Sequence, residues 1–195
     1  MYLTDIPPGP SSADCVAIDS TSDVLDSVTA PHFALALWRR PAPAIVSAFD
    51  LDTVDDLSLV LHALDEGTPA GPALLAAGYP PDTARTLADD LTLLAAIHRR
   101  LTGAAAITVR LDVIDTDACR RFHADYVSLR MLCTYRGIGT QWCRTATPET
   151  VHTLPTGTVG VFKGRLAMEE PLILHRSPPR CATGAQRLLL VLDPG

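Results

Sequence analysis

The segment Phe122-His123-Ala124-Asp125-Tyr126 sets an imidazole and a carboxylate two residues apart. In an extended strand, residues i and i+2 project from one face, so both side chains reach a single ion about 2 Å away. A second histidine from a distant strand would complete a set of two imidazoles and one carboxylate. That facial arrangement leaves three adjacent positions of an Fe(II) ion open. His175 is the candidate, because it ends the apolar run Pro171-Leu172-Ile173-Leu174 and precedes Arg176-Ser177-Pro178-Pro179, where a strand meets a rim loop. Sites commonly sit at such junctions.

Arg187 opens the apolar run Leu188-Leu189-Leu190-Val191-Leu192. A guanidinium at the mouth of a buried strand needs an anion that it can grip with two nitrogens, and a dicarboxylate supplies one. Lys163, the single lysine of the chain, also lies in a strand-like run and is the rival anion anchor; otherwise it is an edge lysine with its ammonium in water. His152, with Lys163 and Arg165 behind it, is the rival to His175, although Pro148-Glu149-Thr150-Val151-His152 reads as a short helix or loop. Cys133 could place a thiolate beside His123 for a softer ion such as Zn(II), against the commoner role of a core cysteine. Trp142 and Tyr126 are candidates for a pocket wall or for packing. An H-x-D triplet alone is common; its weight here comes from the distal strand-terminal histidine and the arginine that follows.

The elements that must position these residues divide the chain. The sequence reads as a single domain over 1–195, with a loose arm over 1–30, a mainly helical support with one strand over 31–105, and a β core over 106–195 that carries the site. In the arm, one short helix is expected near Ser22 to Ser27. Phe33 to Trp38 suits a buried strand. Residues 43–64 have mostly helical spacing, and residues 67–81 read as a loop rich in Gly and Pro. The clearest helix follows, with Asp82 to cap it, Leu87, Leu91, Leu94 and Leu101 on one face, His98 on the same stripe as a packed residue, and Gly103 to end it. Strands are expected over 107–114, 129–135, 158–162, 172–175 and 188–192. Helices first and strands later indicate an α+β chain with helices packed on one face of an antiparallel β structure.

With 195 residues, 47% of them hydrophobic, the chain can bury a substantial core. A formal charge of -6 without any Lys/Arg-dense run argues against nucleic acid or anionic membrane as partner. The polar, Pro-rich first residues resemble neither a signal peptide nor an anchor, and no stretch reaches the ~20 apolar residues of a membrane helix, so a cytoplasmic location is expected. The five cysteines are scattered without a C-x-x-C pair and read as reduced thiols.

The stretch from His123 to Trp142, Val159-Gly160-Val161-Phe162-Lys163-Gly164, His175 to Pro179, Arg187 to Asp193 and Ala34 to Arg40 together resemble the bacterial domain-of-unknown-function family 1826 (DUF1826). Members of that family often accompany metal-homeostasis genes. The layout is also similar to that of non-haem Fe(II), 2-oxoglutarate-dependent oxygenases. This second resemblance implies a double-stranded β-helix (jelly-roll, cupin-like) core, with His123, Asp125 and His175 as metal ligands, Arg187 as the oxoacid anchor, and Tyr135 as a tyrosine that contacts the cosubstrate. The strands of this chain are shorter than in that fold, which bears on its eight-strand count and on the place of Tyr135.

Two functional classes follow. One is an oxygenase using Fe(II) and 2-oxoglutarate, which would convert the oxoacid to succinate and hydroxylate a small-molecule or side-chain substrate. The other is a cupin-like metal-binding protein, for Zn(II) or another divalent ion, linked to metal homeostasis. A fourth protein ligand closing the site would favour the second, since structural zinc sites are closed and catalytic ones stay open.

Overall fold

A computed structural model describes residues 15–47, 49–62, 70–116, 119–179 and 186–195. The expectations for residues 1–14 and for Cys181 lie outside the described residues. The strands are β1 (Val16–Asp19), β2 (Leu35–Trp38), β3 (Leu57–His62), β4 (Ala106–Ile114), β5 (Leu129–Arg136), β6 (Gln141–Arg144), β7 (Thr147–Thr153), β8 (Val159–Lys163), β9 (Ile173–Arg176) and β10 (Arg187–Pro194); the helices are α1 (Ala70–Ala76) and α2 (Pro81–Thr102). Seven strands form one sheet in the order β1-β2-β8-β5-β10-β4-β3, and three form a second in the order β7-β6-β9. Only β1 and β2 pair in parallel; the other pairings within the sheets are antiparallel.

The period-2 alternation of strand side chains assigns the two faces of the large sheet. Leu188, Leu190 and Leu192 of β10 join Met131 and Cys133 of β5 and Val161 of β8 in a core shared with Leu87, Leu91 and Leu94 of α2. Leu189 and Val191 point the other way, with Leu132 and Phe162, and meet Trp142 and Ile173 of the small sheet. Both faces of β10 are therefore buried, which is why its sequence is an unbroken apolar run. Helices cover one face of the large sheet and the small sheet covers part of the other.

Along the chain, β4 lies in the large sheet, the His123 segment pairs beside β9, β5 returns to the large sheet, β6 and β7 belong to the small one, and β8, β9 and β10 alternate between the two. The site residues sit where this winding brings the sheets together.

Helix α2 ends at Gly103, whose φ of 68° is the left-handed conformation that a glycine cap adopts without strain. Asp82 is not its cap: Pro80 holds that position, and Asp82 sits in the first turn and pairs with Arg85 at 3.0 Å. Four further expectations change. The described residues of 43–64 form two short 3-10 turns and the strand β3 rather than a helix, because Leu57 and Leu61 are four apart, a spacing that suits a helix face and one face of a strand equally. Residues 70–76 of the expected loop form α1, and the His152 segment is the strand β7. Residues 16–19, read as part of a loose arm, form β1, while the short helix expected near Ser22 to Ser27 is present as a 3-10 helix over Ser22–Thr29. Among the described residues, no helix is long and apolar enough to cross a membrane.

Candidate metal centre

His123 and His175 face each other across an antiparallel bridge: His123 N–H donates to the His175 carbonyl at 3.0 Å, and His175 N–H donates back at 2.9 Å. Residues paired in this way project from the same face, so the two rings lie side by side with centroids 4.7 Å apart. The Nδ1 of His123 is 2.8 Å from the Arg121 carbonyl. A proton there, donated to that oxygen, leaves the Nε2 lone pair free toward the site, the tautomer that a metal ligand needs. Asp125 leaves the strand line but stays in reach, because Arg165 N–H donates to its carbonyl at 2.8 Å. That contact depends on Gly164, where a Cβ would come within 2.1 Å of the Val127 carbonyl oxygen.

The three side chains converge, with one ligand atom from each lying within 4.8 Å of the others. The Asp125 Oδ2 is 3.0 Å from His175 Nε2. Two neighbouring ligands each about 2.1 Å from one ion at a right angle are about 3 Å apart, so this spacing fits a shared ion. Oδ2 is buried, with the His175 ring nitrogen beside it. Burial alone would push the Asp125 carboxyl up, but contact with His175 and the positive charge of Arg130 outweigh it, and the net direction is down. Burial pushes the His175 imidazole down, against the opposing pull of Asp125. An ionised carboxylate beside a neutral imidazole is the protonation state in which these groups bind metal.

Arg187 is almost fully buried, at 6% exposure. Its Nη1 donates to Ser177 Oγ at 3.1 Å and its Nη2 to the hydroxyls of Thr134 and Thr140 at 3.3 and 3.4 Å, while Nε has no partner. Among the described residues no carboxylate pairs with it, and burial pushes its pKa down to about 10. Gly137, at φ 87°, permits this placement, since a Cβ there would sit 2.9 Å from Arg187 Cγ. Thr140 and Ser177 line a cavity of about 510 Å³ together with His123, His175, Arg130 and Leu189. Asp56, Arg110, Asp112 and Asp115 also line it.

Of the residues picked from the sequence, the structure gathers His123, Asp125, His175 and Arg187 around this cavity and its inner wall. Tyr135 and Lys163 belong on the other side of the sheet, which corrects both roles. Alternation along β5 turns Tyr135 toward α2, where its hydroxyl donates to Asp90 Oδ2 at 2.5 Å. Lys163 shares its face of β8 with Val159 and Val161, and its ammonium donates to the carbonyls of Ala30 and Pro31 at 2.7 and 3.3 Å. Cys133 is on that same helix side and is not a neighbour of His123. His152 stacks on Trp142 with centroids 4.2 Å apart, two strands away from His175 and outside the cluster. Trp142 packs between the sheets, and Tyr126 is 77% exposed.

Sequence reasoning missed Arg130. Its Nη1 reaches Asp125 Oδ1 at 2.5 Å, while Nε and Nη2 grip the two oxygens of Asp193 at 2.7 Å each. The signal was present: Arg130, Leu132 and Thr134 alternate with the core residues Met131, Cys133 and Tyr135, so a charged side chain on that strand faces the site and requires partners.

Solved structures with a similar fold include a Shewanella oneidensis protein carrying the provisional name of oxygenase, at TM-score 0.50 and 12% identity, with 92% of this chain and 89% of that one covered. A full-length Neurospora crassa protein in complex with alpha-KG aligns at TM-score 0.50 and 11% identity, covering 92% of this chain and 83% of that one. The rice dioxygenase for auxin oxidation aligns at TM-score 0.45 and 15% identity over 71% of this chain, which spans only 55% of that longer protein. Comparison with curated proteins gives no match. The model of the family described as "Protein of unknown function (DUF1826)" matches residues 19–193, and the chain belongs to that family.

Proposed function

We propose that this protein is a mononuclear non-haem Fe(II), 2-oxoglutarate-dependent oxygenase. In this reading the winding of the chain is a double-stranded β-helix: β8, β5, β10 and β4 form one wall, and β7, β6, β9 and the His123 segment form the other. The observation that carries the reading is a buried guanidinium, without a carboxylate partner among the described residues, behind a cavity lined by His123 and His175, two of the three convergent metal-ligand side chains. A buried charge of this kind is costly unless a counter-ion arrives, and a dicarboxylate spanning from metal to arginine is such a counter-ion.

His123, Asp125 and His175 would hold the metal, and Arg187, aided by Thr134, Thr140 and Ser177, would receive the far carboxylate of 2-oxoglutarate. Iron held there, with dioxygen and the oxoacid, would supply oxidising chemistry that turns the oxoacid into succinate and carbon dioxide and adds a hydroxyl at a substrate C–H bond. The chain's own share is to orient the oxoacid and to keep bulk water from the metal behind Leu132, Leu189 and Val191. Three protein ligands, with no fourth His, Cys, Asp or Glu joining the cluster among the described residues, suit an open site better than a closed structural zinc centre.

Calorimetric titration under anaerobic conditions tests the reading. Fe(II) should bind one per chain, and 2-oxoglutarate should bind the metal-loaded protein much more tightly than the metal-free one. Metal uptake with no metal-dependent oxoacid binding would favour the metal-binding alternative and set the oxygenase reading aside.

A further inference from the structure

We propose that Arg130, clamped by Asp193, is a positioning residue that holds Asp125 as a one-oxygen ligand; this rests on the metal-site reading above. Arg130 lies on β5 and Asp193 on the neighbouring β10, one step beyond the Met131 and Leu192 register pair. The guanidinium spends one edge on both oxygens of Asp193, at 2.7 Å each, and directs its remaining terminal nitrogen to Asp125 Oδ1 at 2.5 Å. These groups are well shielded, at 18% side-chain exposure for Arg130 and 14% for each carboxylate, so charge-assisted bonds here are weakly screened.

The clamp decides which oxygen faces the metal. Oδ1 lies 3.6 Å from His123 Nε2 but is engaged by Arg130, which leaves Oδ2, 3.0 Å from His175 Nε2, as the oxygen free to bind the shared ion. A six-coordinate ion with three protein atoms has three places left, and an oxoacid binding through two oxygens leaves one of them. A carboxylate free to turn and bind through both oxygens would take that last place or compete with the oxoacid. Arg130 prevents the turn, and Asp193 prevents Arg130 from following Asp125 toward the ion. Lysine could not replace it, because a single ammonium lacks the planar fork that grips Asp193 along one edge and Asp125 at its other end.

Co(II) replacing Fe(II) gives the readout, because its visible absorption reports coordination number without turnover. Asp193→Asn keeps the shape and touches neither metal nor oxoacid, so it separates positioning from folding. The expected result for Asp193→Asn and Arg130→Gln is a Co(II) spectrum altered from that of the parent protein and oxoacid affinity lowered about 10-fold or more, with Arg130→Lys failing to restore either. Spectra and oxoacid affinities matching the parent in folded Asp193→Asn and Arg130→Gln would overturn the proposal. If the parent protein takes up Co(II) but no oxoacid, the oxygenase reading fails, and the Co(II) spectra of the two variants still decide the role of Arg130.

Discussion

Arg187 carries a positive charge at 6% exposure and, among the described residues, has only hydroxyl partners, an arrangement that costs stability until an anion arrives. Replacing it with an apolar side chain of similar length should therefore act in opposite directions on stability and binding. Arg187→Met is expected to stabilise the ligand-free protein by about 1–3 kcal/mol, by analogy with the replacement of buried charges by apolar groups. For a chain of this size that raises the thermal midpoint by roughly 2–10 °C. The same variant should lose the extra stabilisation that 2-oxoglutarate gives the metal-loaded parent. Thermal melts with and without the oxoacid check both halves, and a destabilised variant that keeps the ligand shift would contradict this account of Arg187.

At the scale of elements, alternation along β5 explains why one strand serves two unrelated sites. Arg130 and Thr134 face the cavity, while Tyr135 faces α2 and joins Asp90 and Arg40, the latter gripping both Asp90 oxygens. Removing the tyrosine hydroxyl should weaken the docking of α2 and leave the metal site alone. Tyr135→Phe is expected to cost about 1–3 kcal/mol in denaturant unfolding, the loss of a hydrogen bond to a charged acceptor, with unchanged oxoacid affinity. An affinity loss comparable to that of an Arg187 variant would return Tyr135 to the site. The same strand shows what was legible in the sequence. The H-x-D pair, the distal His175, Arg187 and the five strands of the second half could be read because each depends on local pattern and strand register. The inward or outward sense of Tyr135 and Lys163 could not, since it depends on which face of the sheet the helices cover. β3 was hidden by leucines four apart, and Arg130 by partners, Asp125 and Asp193, that only the folded sheet brings together.

At the scale of the whole molecule, α2 carries His98 fully buried against the sheet, at 0% exposure. Burial pushes its imidazole down from 6.5 to about 4, more than the opposing pull of Asp193 and the Leu129 backbone restores. The unfolded chain therefore takes up a proton at higher pH than the folded chain does. The contribution of neutral His98 is fully present above the unfolded value and is lost as pH falls from 6.5 toward 4. The loss is roughly 3 kcal/mol of global stability. Urea unfolding across that window should show the slope, part of which belongs to His175, whose imidazole is also held down by burial; His98→Leu should reduce the slope, and one undiminished in the variant would assign it elsewhere. Asp125, whose carboxyl is held below its ordinary value of 3.8, acts at more acid pH and does not blur this window.

The proposed function also belongs to the whole molecule: on that reading two sheets wound on each other place three metal-ligand side chains in front of a buried arginine, so that metal and oxoacid would bind as one unit. The most direct test is anaerobic addition of Fe(II) and then 2-oxoglutarate to the metal-free protein, followed by visible absorption, because an oxoacid chelating iron through two oxygens produces a charge-transfer band. The band is expected in the parent protein. It should be lost in His175→Ala together with metal binding, and lost in Arg187→Met at oxoacid concentrations that saturate the parent, with Fe(II) still bound. Iron bound by the parent with no band, or a band at parent affinity in Arg187→Met, would contradict the claim.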